Sequence, residues 1–506
     1  MQWSDWTAFR CLLNRNFESK ENYMISQMNT RRNICAASAM FAPLIDLSAT
    51  AVAPNFIFFI TDDISPEHLS CYGGPVQMPN LERLAASGML FQNAYVTTSS
   101  CSPSRCSILT SRYPHNTGAP ELHMNLPGDQ QKFPAMLRQN GYYSVLNGKN
   151  HMSPKGKAAL EILGDAFDEI MEGAGPGGEE EWIDVLRNRP KNKPFFFWFA
   201  SHDAHRNWQF NDKAPLFQPE DIEIPSYLFD GQETRKDFAG HYHEIARTDY
   251  YLGELLDELE RQKIADNTYV IYCSDNGKPF PRCKTCLYDT GVKVPLIMAG
   301  PGIQAGTVSS SLVSTIDIGP TILELTNVLS PKEFQGVSFV PVLKDPSVSV
   351  RDYIFAEHNW HINPANERMV RYQNWVYIRN YRVEEQSLCA THFPAGKELW
   401  NAELRGELTP EQRNVFLKPR PLEELYCVDS DPCQFVNLIE SPECASILNE
   451  LRGVMDAWRE ATGDTVPENP TSSIGKINAQ LRGEIPGESK NAAYILNPGP
   501  IKKQKL

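Results

Sequence analysis

The chain has 506 residues, which is long for one ordinary domain and enough for a large α/β body with a smaller companion. Hydrophobic residues make up 41% of it and charged residues 22%, a balance that excludes wholesale disorder. The 62 acidic and 48 basic side chains give a net charge of -14, which argues against sequence-independent binding to nucleic acid. An anionic substrate must therefore be held by a local cationic pocket.

The N-terminal region has the pattern of an export signal. Arg31 and Arg32 precede a mostly apolar stretch at residues 34–53, which ends in Ala-x-Ala spacings. A basic segment, an apolar run and small residues are typical of a cleaved signal, and paired arginines also occur in twin-arginine signals. We therefore predict an extension and export signal over residues 1–53; a buried apolar helix is the alternative. The mature protein is then periplasmic or extracellular, or lysosomal in an animal, with no membrane span.

The next part of the chain alternates buried strands with helical patterns. The apolar run NFIFFIT at residues 55–61 is typical of a strand buried on both faces of a parallel sheet. Similar runs and amphipathic segments alternate up to about residue 345, which predicts a catalytic body over residues 54–345 with a mixed sheet flanked by helices. The further strands expected are 143–146, 194–200 and 269–273, and the helices expected are 79–87, 242–259 and 316–329.

The C-terminal part has a different pattern of apolar and polar residues. Alternating patterns at residues 375–381 and 424–438 precede a helical pattern at 446–459, which predicts a smaller antiparallel sheet with one helix over residues 346–464. The tail, residues 465–506, is rich in proline and is expected to wrap over the surface or to be mobile.

Twelve cysteines suit an oxidising compartment without forming a disulfide scaffold. One disulfide among Cys427, Cys433 and Cys444 is compatible with their spacing. Cys283 and Cys286 have a zinc-like spacing, but no second Cys-x-x-Cys or histidine pair accompanies them, so zinc is disfavoured.

Two strands are followed by pairs of oxygen-bearing side chains. Asp62 and Asp63 end the first strand, and Asp275 and Asn276 follow the strand at residues 269–273. Carboxylate and amide oxygens are the ligands that calcium and magnesium prefer. Because the carboxyl ends of parallel strands meet at one sheet edge, we predict a cation site there.

A cysteine lies between these two pairs in the sequence, in the run Cys101-Ser-Pro-Ser-Arg105. Pro103 and the residues after it place Cys101 just ahead of a helix N-terminus, where amide groups and the helix dipole favour an anion. The run, followed by Leu109 and Thr110, resembles the modification signature of the type I sulfatases, although Ser111 stands where that family has glycine. The resemblance implies an alkaline-phosphatase-like fold and oxidation of Cys101 to formylglycine by a maturation enzyme.

Other segments extend the resemblance along residues 55–458. Gly148-Lys149-Asn150-His151 is similar to the segment whose lysine contacts sulfate and whose histidine works beside the formylglycine. His205 matches the histidine that faces the leaving group, Arg105 the residue that fixes the formylglycine hydrate, and Lys284 a basic residue that grips a sulfate oxygen. The resemblance implies one calcium ion and the following ligands: Asp62, Asp63, Cys101, Asp275 and Asn276.

Within the family, the heparan N-sulfatases (N-sulfoglucosamine sulfohydrolases) resemble this chain most, chiefly in the run Ser274-Asp-Asn-Gly-Lys-Pro-Phe-Pro281. Lys284 departs from that branch, which has arginine there. The implied substrate is a sulfate ester or N-sulfate on a terminal glycosaminoglycan sugar. The alternatives are an O-sulfatase on another glycan, a phosphoester or phosphonate hydrolase of the same superfamily, and an inactive glycan-binding relative.

Overall fold

A computed structural model describes residues 52–474 of the chain. The predicted extension and export signal, residues 1–53, lies almost wholly outside the described residues. Among the helices of residues 52–474, none combines the length and the apolar character that a membrane span requires.

An eight-stranded mixed sheet forms the main body, which confirms the predicted fold class. Its spatial order is β4-β3-β5-β1-β6-β7-β2-β8. The five strands from β4 to β6 run parallel, β7 is antiparallel to both β6 and β2, and β8 is parallel to β2. The strands are β1 (Asn55–Thr61), β2 (Gly88–Tyr95), β3 (Tyr143–Gly148), β4 (Glu169–Met171), β5 (Phe195–Ala200), β6 (Thr268–Ser274), β7 (Lys293–Ala299) and β8 (Thr307–Ser314).

Strand β1 occupies the centre of this sheet, and all seven of its residues are buried. Because successive side chains of a strand point to opposite faces, Phe56, Phe58 and Ile60 enter one apolar core while Ile57 and Phe59 enter another. Burial of large apolar side chains on both faces explains why the run has no polar alternation.

Helices cover both faces of the sheet. The helix expected at residues 242–259 is one part of a helix of 30 residues, Gln232–Arg261. The helix expected at 316–329 is shorter, because a 3-10 turn at Thr315–Asp317 precedes it and Thr326 ends it. The helices are α1 (Pro79–Ser87), α2 (Cys101–Thr110), α3 (Pro114–Thr117), α4 (Phe133–Gln139), α5 (Ala159–Leu163), α6 (Trp182–Asn188), α7 (Gln232–Arg261), α8 (Asp289–Val292), α9 (Ile318–Leu325), α10 (Val340–Lys344), α11 (Pro394–Arg405) and α12 (Ala445–Thr462).

A separate four-stranded antiparallel sheet follows, in the order β12-β11-β10-β9. Helix α12 packs on it through Leu451, Met455 and Trp458. The pattern at residues 424–438 forms a strand only as far as Cys427, because turns follow. The strands are β9 (Tyr353–Trp360), β10 (Pro364–Tyr372), β11 (Trp375–Asn380) and β12 (Glu423–Cys427).

All ten cysteines of residues 52–474 are free. Cys427, Cys433 and Cys444 therefore form no disulfide with one another, and the pairing considered for them is wrong. Cys283 and Cys286 are both buried, and within the described part of the chain they belong to no metal-binding group. They act as small apolar side chains of the core.

Candidate active site

The candidate site lies at one edge of the large sheet, where parallel strands end side by side. The strand registers align Thr61 of β1 with Ser274 of β6, and Gly148 of β3 with Ala200 of β5. The polar segments after these strands leave the sheet together, at the edge where open α/β sheets bind ligands. These segments contain seven of the predicted site residues: Asp62, Asp63, Lys149, His151, His205, Asp275 and Asn276.

Cys101 reaches this edge from a separate helix. It is the first residue of α2 and Ser100 is the N-cap, whereas the sequence pattern placed Cys101 just ahead of the helix. The one-residue difference leaves the thiol at the helix end, where unpaired amides and the dipole favour an anion. The Thr285 amide donates to the carbonyl and the hydroxyl oxygen of Ser99, at 2.8 and 3.0 Å. The loop that carries Lys284 is thereby tied to the start of α2.

Three oxygens in the buried centre of the site accept no hydrogen bond from the described residues: Asp62 Oδ1, Asp63 Oδ2 and Asn276 Oδ1. Buried oxygens without partners lose their hydration, so this cluster suits a cation. His205 joins Asp62 and Asp63 in a group whose ligand atoms lie within 4.8 Å of one another. The oxygens of Asp275 are engaged, because they accept from the Asp63 amide at 3.3 Å and from Arg105 Nε at 2.7 Å.

This donor set fits a hard cation such as calcium. Asp62, Asp63 and Asn276 supply the unpartnered oxygens, and the Asp275 carboxylate lies directly beside them. The Cys101 thiol is buried, and burial raises its pKa although Lys284 and Lys149 oppose the rise. The unmodified thiol is therefore protonated at neutral pH and is a poor metal ligand, since the thiolate is the form that binds metals.

Arg105 is fully buried and bridges the two acidic segments. Its guanidinium donates to Asp275 Oδ2 at 2.7 Å, to Asp62 Oδ2 at 3.1 Å and to the Lys149 carbonyl at 3.0 Å. Such a fork of charge-assisted hydrogen bonds fixes the orientation of both carboxylates. Arg105 therefore contacts the predicted metal ligands themselves.

Two lysines complete the cationic side of the site. Lys149 pairs with Asp62, and Lys284 Nζ lies 2.6 Å from Asp63 Oδ1. Burial alone would lower the pKa of both lysines, but the adjacent carboxylates outweigh it and raise the pKa of each. Both ammonium groups are therefore charged over the physiological pH range, as contacts with sulfate oxygens require.

The two aspartates differ in proton affinity. Burial raises the pKa of Asp63 to about 7, even though Lys284 opposes the rise. Burial also acts on Asp62, but the charges of Lys149, Arg105 and Lys284 prevail and hold its pKa well below the usual value. Asp62 is thus always ionised, while Asp63 exchanges a proton near neutrality.

His205 and His151 have neutral rings. The charge of Lys149, followed by partial burial, lowers the pKa of His205 to about 3. Burial and Lys149 lower the pKa of His151 well below its ordinary value. His151 Nε2 lies 2.7 Å from His123 Nδ1, and its own Nδ1 has no partner among the described residues. His202 is exposed and lines the cavity beside His205.

Two further histidines at the site were not predicted. His123 reaches His151 from the segment after α3, and His361 Nδ1 lies 2.8 Å from the hydroxyl of Ser100, next to Cys101. No motif surrounds either one, and they lie 22 and 260 residues after Cys101 in the numbering. The one sequence feature that could have drawn attention to His361 is the pair of histidines in the segment from Glu357 to His361. That feature does not indicate which residue His361 contacts.

A cavity of about 250 Å³ opens beside His205. Glu172, Glu244 and His202 line it, and so does Arg206. The Arg206 guanidinium is already bound to Asp237 Oδ2 at 2.7 Å. The cavity wall thus offers carboxylates, imidazoles and backbone, which suit a ligand rich in hydroxyl groups.

Comparison with known proteins identifies the family. The profile of the family Sulfatase matches residues 54–177 and 180–328, and the profile "N-sulphoglucosamine sulphohydrolase, C-terminal" matches residues 282–392. An ulvan-active sulfatase of Formosa agariphila is 30% identical over 440 residues, covering 83% of this chain and 83% of that protein. The N-sulphoglucosamine sulphohydrolase of Homo sapiens is 26% identical over 480 residues, covering 85% of this chain and 95% of that protein.

A solved structure of a protein in complex with its substrate D-glucosamine-2-N,6-O-disulfate shares the fold, with a TM-score of 0.64 at 22% identity. The match covers 82% of this chain and 99% of that one. The Sulfatase profile alone spans more than half of the 506 residues. The protein is a hydrolase of sulfate esters or sulfamates, and the chain belongs to the sulfatase family.

Proposed function

We propose that the protein removes sulfate from a sugar, by hydrolysing a sulfate ester or N-sulfate on a terminal glycosaminoglycan residue such as N-sulfoglucosamine. One observation carries this proposal: Cys101 starts α2 within the electrostatic reach of Lys284, Lys149 and the buried Asp62. A nucleophile, cations for the sulfate oxygens and carboxylates for a metal are thus gathered at one sheet edge. Sulfuryl transfer needs all three.

The nucleophile would be made from Cys101 by a formylglycine-generating maturation enzyme. The formylglycine hydrate would supply one hydroxyl that attacks sulfur and a second whose deprotonation expels sulfate and restores the aldehyde. One calcium ion on Asp62, Asp63, Asp275 and Asn276 would supply positive charge that lowers the hydroxyl pKa and binds sulfate oxygens. Cys101, once modified, would lie at the edge of this ligand set.

The basic residues hold the substrate and orient the acidic ones. The ammonium groups of Lys149 and Lys284 would pair with sulfate oxygens as point charges. Arg105 would keep Asp62 and Asp275 in place and fix the formylglycine hydrate beside them.

The histidines would move the protons. In the substrate-free site His205 is neutral, but a bound sulfate brings negative charge, which raises the pKa of a neighbouring imidazole. His205 would then protonate the departing oxygen or nitrogen. His151 is neutral and its Nδ1 is unpartnered among the described residues when Nε2 bonds His123, so it would take the proton from the second hydroxyl.

The substrate proposal rests on two observations. The N-sulphoglucosamine sulphohydrolase profile matches residues 282–392, which contain Lys284. The curated human protein of that name is similar over 85% of this chain. The identity to an ulvan-active sulfatase is 30%, against 26% to the human N-sulphoglucosamine sulphohydrolase. This difference supports the second candidate, an O-sulfatase on another sulfated glycan.

Sulfate release tests the chemistry. We expect the protein, co-produced with a maturation enzyme and supplied with calcium, to release sulfate from at least one of a panel of defined N-sulfated and O-sulfated sugars. Cys101→Ala should abolish turnover while it keeps folding and calcium binding. Cys106→Ala is the matched control, because Cys106 is a buried thiol of the same helix that packs in the large apolar core, and it should retain activity.

Two outcomes would contradict the proposal. Undiminished turnover by Cys101→Ala would exclude this nucleophile. A preference for phosphate over sulfate esters in paired chromogenic substrates would favour the phosphohydrolase alternative. Mass spectrometry of the tryptic peptide that contains Cys101 is an independent test: formylglycine replaces sulfur by oxygen and has two hydrogens fewer, whereas an unmodified thiol in natively produced protein would favour an inactive relative.

A further inference from the structure

The segment that follows α12 is bound along the small sheet, and we name residues 464–474 the C-terminal strap. Asp464 anchors its start, because both carboxylate oxygens accept from Arg368, at 2.6 and 2.9 Å, and one also accepts from Arg459 at 2.8 Å. Further along, Arg382 donates to the carbonyl of Pro467 at 2.5 Å. The strap is therefore fixed by buried or partly buried polar contacts at its origin.

The far end of the strap is tied both to the catalytic body and to the end of β9. The Thr471 hydroxyl donates to Glu121 Oε2 at 2.6 Å, and the Trp360 indole donates to the Ser472 carbonyl at 2.9 Å. The Ile474 amide donates to the Ile362 carbonyl at 2.7 Å. These bonds hold the strap against the end of β9 and the segment after α3.

Ile474 ends the described strap beside the candidate nucleophile. It packs on an apolar cluster formed by Cys101, Leu122 and Trp360, all of them at least 95% buried. The Leu122 amide also donates to the Trp360 carbonyl at 3.1 Å, which keeps the cluster closed. Cys101 therefore has an apolar wall on the side of the strap.

The part of the site around the exposed histidines is polar. His123, His202 and His205 are exposed, and the cavity of about 250 Å³ adjoins His202 and His205. Its volume is below the range of about 300–1,000 Å³ for pockets of drug-sized ligands. A cavity of this size accommodates a single sugar rather than several.

We propose that the C-terminal strap closes one end of the active site and restricts the enzyme to sulfate on a terminal sugar, an inference that rests on the proposed function. A sugar flanked on both sides would have to place its second neighbour where Ile474 and Trp360 lie. To make room for that neighbour, the strap would have to move and break its hydrogen bonds. If the strap stayed in place, the hydroxyl groups of the neighbour would face an apolar surface that offers them no hydrogen-bond partner. A terminal residue enters from the histidine side and leaves the strap in place.

Two truncations test the role of the strap. One form ends after Asp464 and lacks the strap beyond its anchor; the matched control ends after Ile474 and keeps it. Each is compared with the full chain on the same sulfated sugar placed at the terminus or in the interior of an oligosaccharide. We expect the form that ends after Asp464 to raise the ratio of internal to terminal kcat/KM by roughly tenfold or more. The full chain and the control should share the low ratio.

An unchanged ratio in the shorter form would overturn the proposal, and so would an equal rise in the control. Point variants provide a second test if the shorter form does not fold. Ile474→Ala and Trp360→Phe should raise the ratio in folded protein, while Leu329→Ala, at a side chain 92% exposed, should leave it unchanged. Thermal unfolding verifies that each variant is folded.

Alkylation of the unmodified protein separates this proposal from the proposed function. In protein made without the maturation enzyme, iodoacetamide should modify Cys101 several-fold faster in the form that ends after Asp464 than in the form that ends after Ile474, because access limits thiol reactivity. Equal rates would overturn the strap as a wall of the site. Faster alkylation without any sulfate release by the matured full chain would instead refute the proposed function and leave the position of the strap established.

Discussion

Replacement of Arg105 by methionine should destabilise the metal-free protein strongly. The guanidinium and the carboxylates of Asp62 and Asp275 are all inaccessible to solvent. Asp62 keeps Lys149 as a partner after the substitution, but Asp275 loses its ion pair with Arg105. Removal of one member of a buried pair costs about 3–5 kcal/mol, because the remaining charge is buried without compensation.

The pH dependence of this loss has a definite sign. Burial already raises the pKa of Asp275, and Arg105 provides the largest opposing effect. Without Arg105 the pKa rises further, so Asp275 takes up a proton as the pH falls. A carboxyl with a raised folded-state pKa stabilises the fold only at low pH and loses that contribution as the pH rises through the folded pKa. The difference between Arg105→Met and the wild type should therefore grow from pH 5 to pH 8.

Urea unfolding in the presence of EDTA, followed by tryptophan fluorescence, measures this effect. Arg105→Lys retains the charge but not the planar fork, so its loss should be smaller, about 1.5–3 kcal/mol for the charge-assisted hydrogen bonds. Arg83→Met is the control: Arg83 is 38% exposed and pairs with Asp257 and Glu260, and exposed pairs contribute about 1 kcal/mol or less. A loss in Arg105→Met no larger than that in Arg83→Met would refute the reasoning.

Three further predictions concern the metal site and the core. Calcium affinity should fall about tenfold per pH unit below 7 and level off above it, because a proton competes on Asp63, whose pKa is about 7; calorimetry that shows constant affinity from pH 5.5 to 8 would contradict this. Arg247→Met should weaken calcium binding by about 10–100-fold. The Arg247 guanidinium donates to the Asp203 carboxylate at 2.7 Å, and the Asp203 carbonyl accepts from the Asp62 amide at 2.8 Å, so Arg247 positions the segment of a predicted ligand. Unchanged calcium affinity in a folded variant would exclude this positioning role. Trp198→Ala should lower the free energy of unfolding in urea by about 3–5 kcal/mol, because the indole is fully buried and its ring centroid lies 4.8 Å from that of Phe58. Phe210→Ala is the control, since Phe210 is 57% exposed, and an equal loss in that variant would contradict the prediction.

The central strands of the large sheet were predictable, because burial on both faces leaves an uninterrupted apolar run. Strands β1, β5 and β6 lie at or within one residue of the expected positions. Strands β2, β7 and β8 were not predicted. Residues such as Gln92 and Ser310 in β2 and β8 are exposed, so these two strands lack the continuous apolar signal. Strand β7 is buried and apolar, but Pro295 interrupts its sequence pattern, and proline is unusual inside a strand.

The residues of the candidate site were likewise predictable where a motif surrounds them. Asp62, Asp275, Lys149 and His205 each follow a buried strand, and parallel strands bring their carboxyl ends to one edge. Cys101 was recognisable from the run Cys101-Ser-Pro-Ser-Arg105, which resembles the sulfatase modification signature. The sequence by itself thus determined the fold class, the family resemblance and the chemical types present in the site.

Only the tertiary structure decided which groups contact one another. It paired Arg105 with Asp62 and Asp275, placed His123 on His151 and brought Ile474 to the cluster around Cys101. These contacts join segments that lie up to 373 positions apart in the numbering, from Cys101 to Ile474. Local propensity and periodicity act over a few residues, whereas such contacts arise when apolar burial folds distant loops onto one sheet edge. The closed end of the site is therefore a property of the folded chain, and no local segment of the sequence contains it.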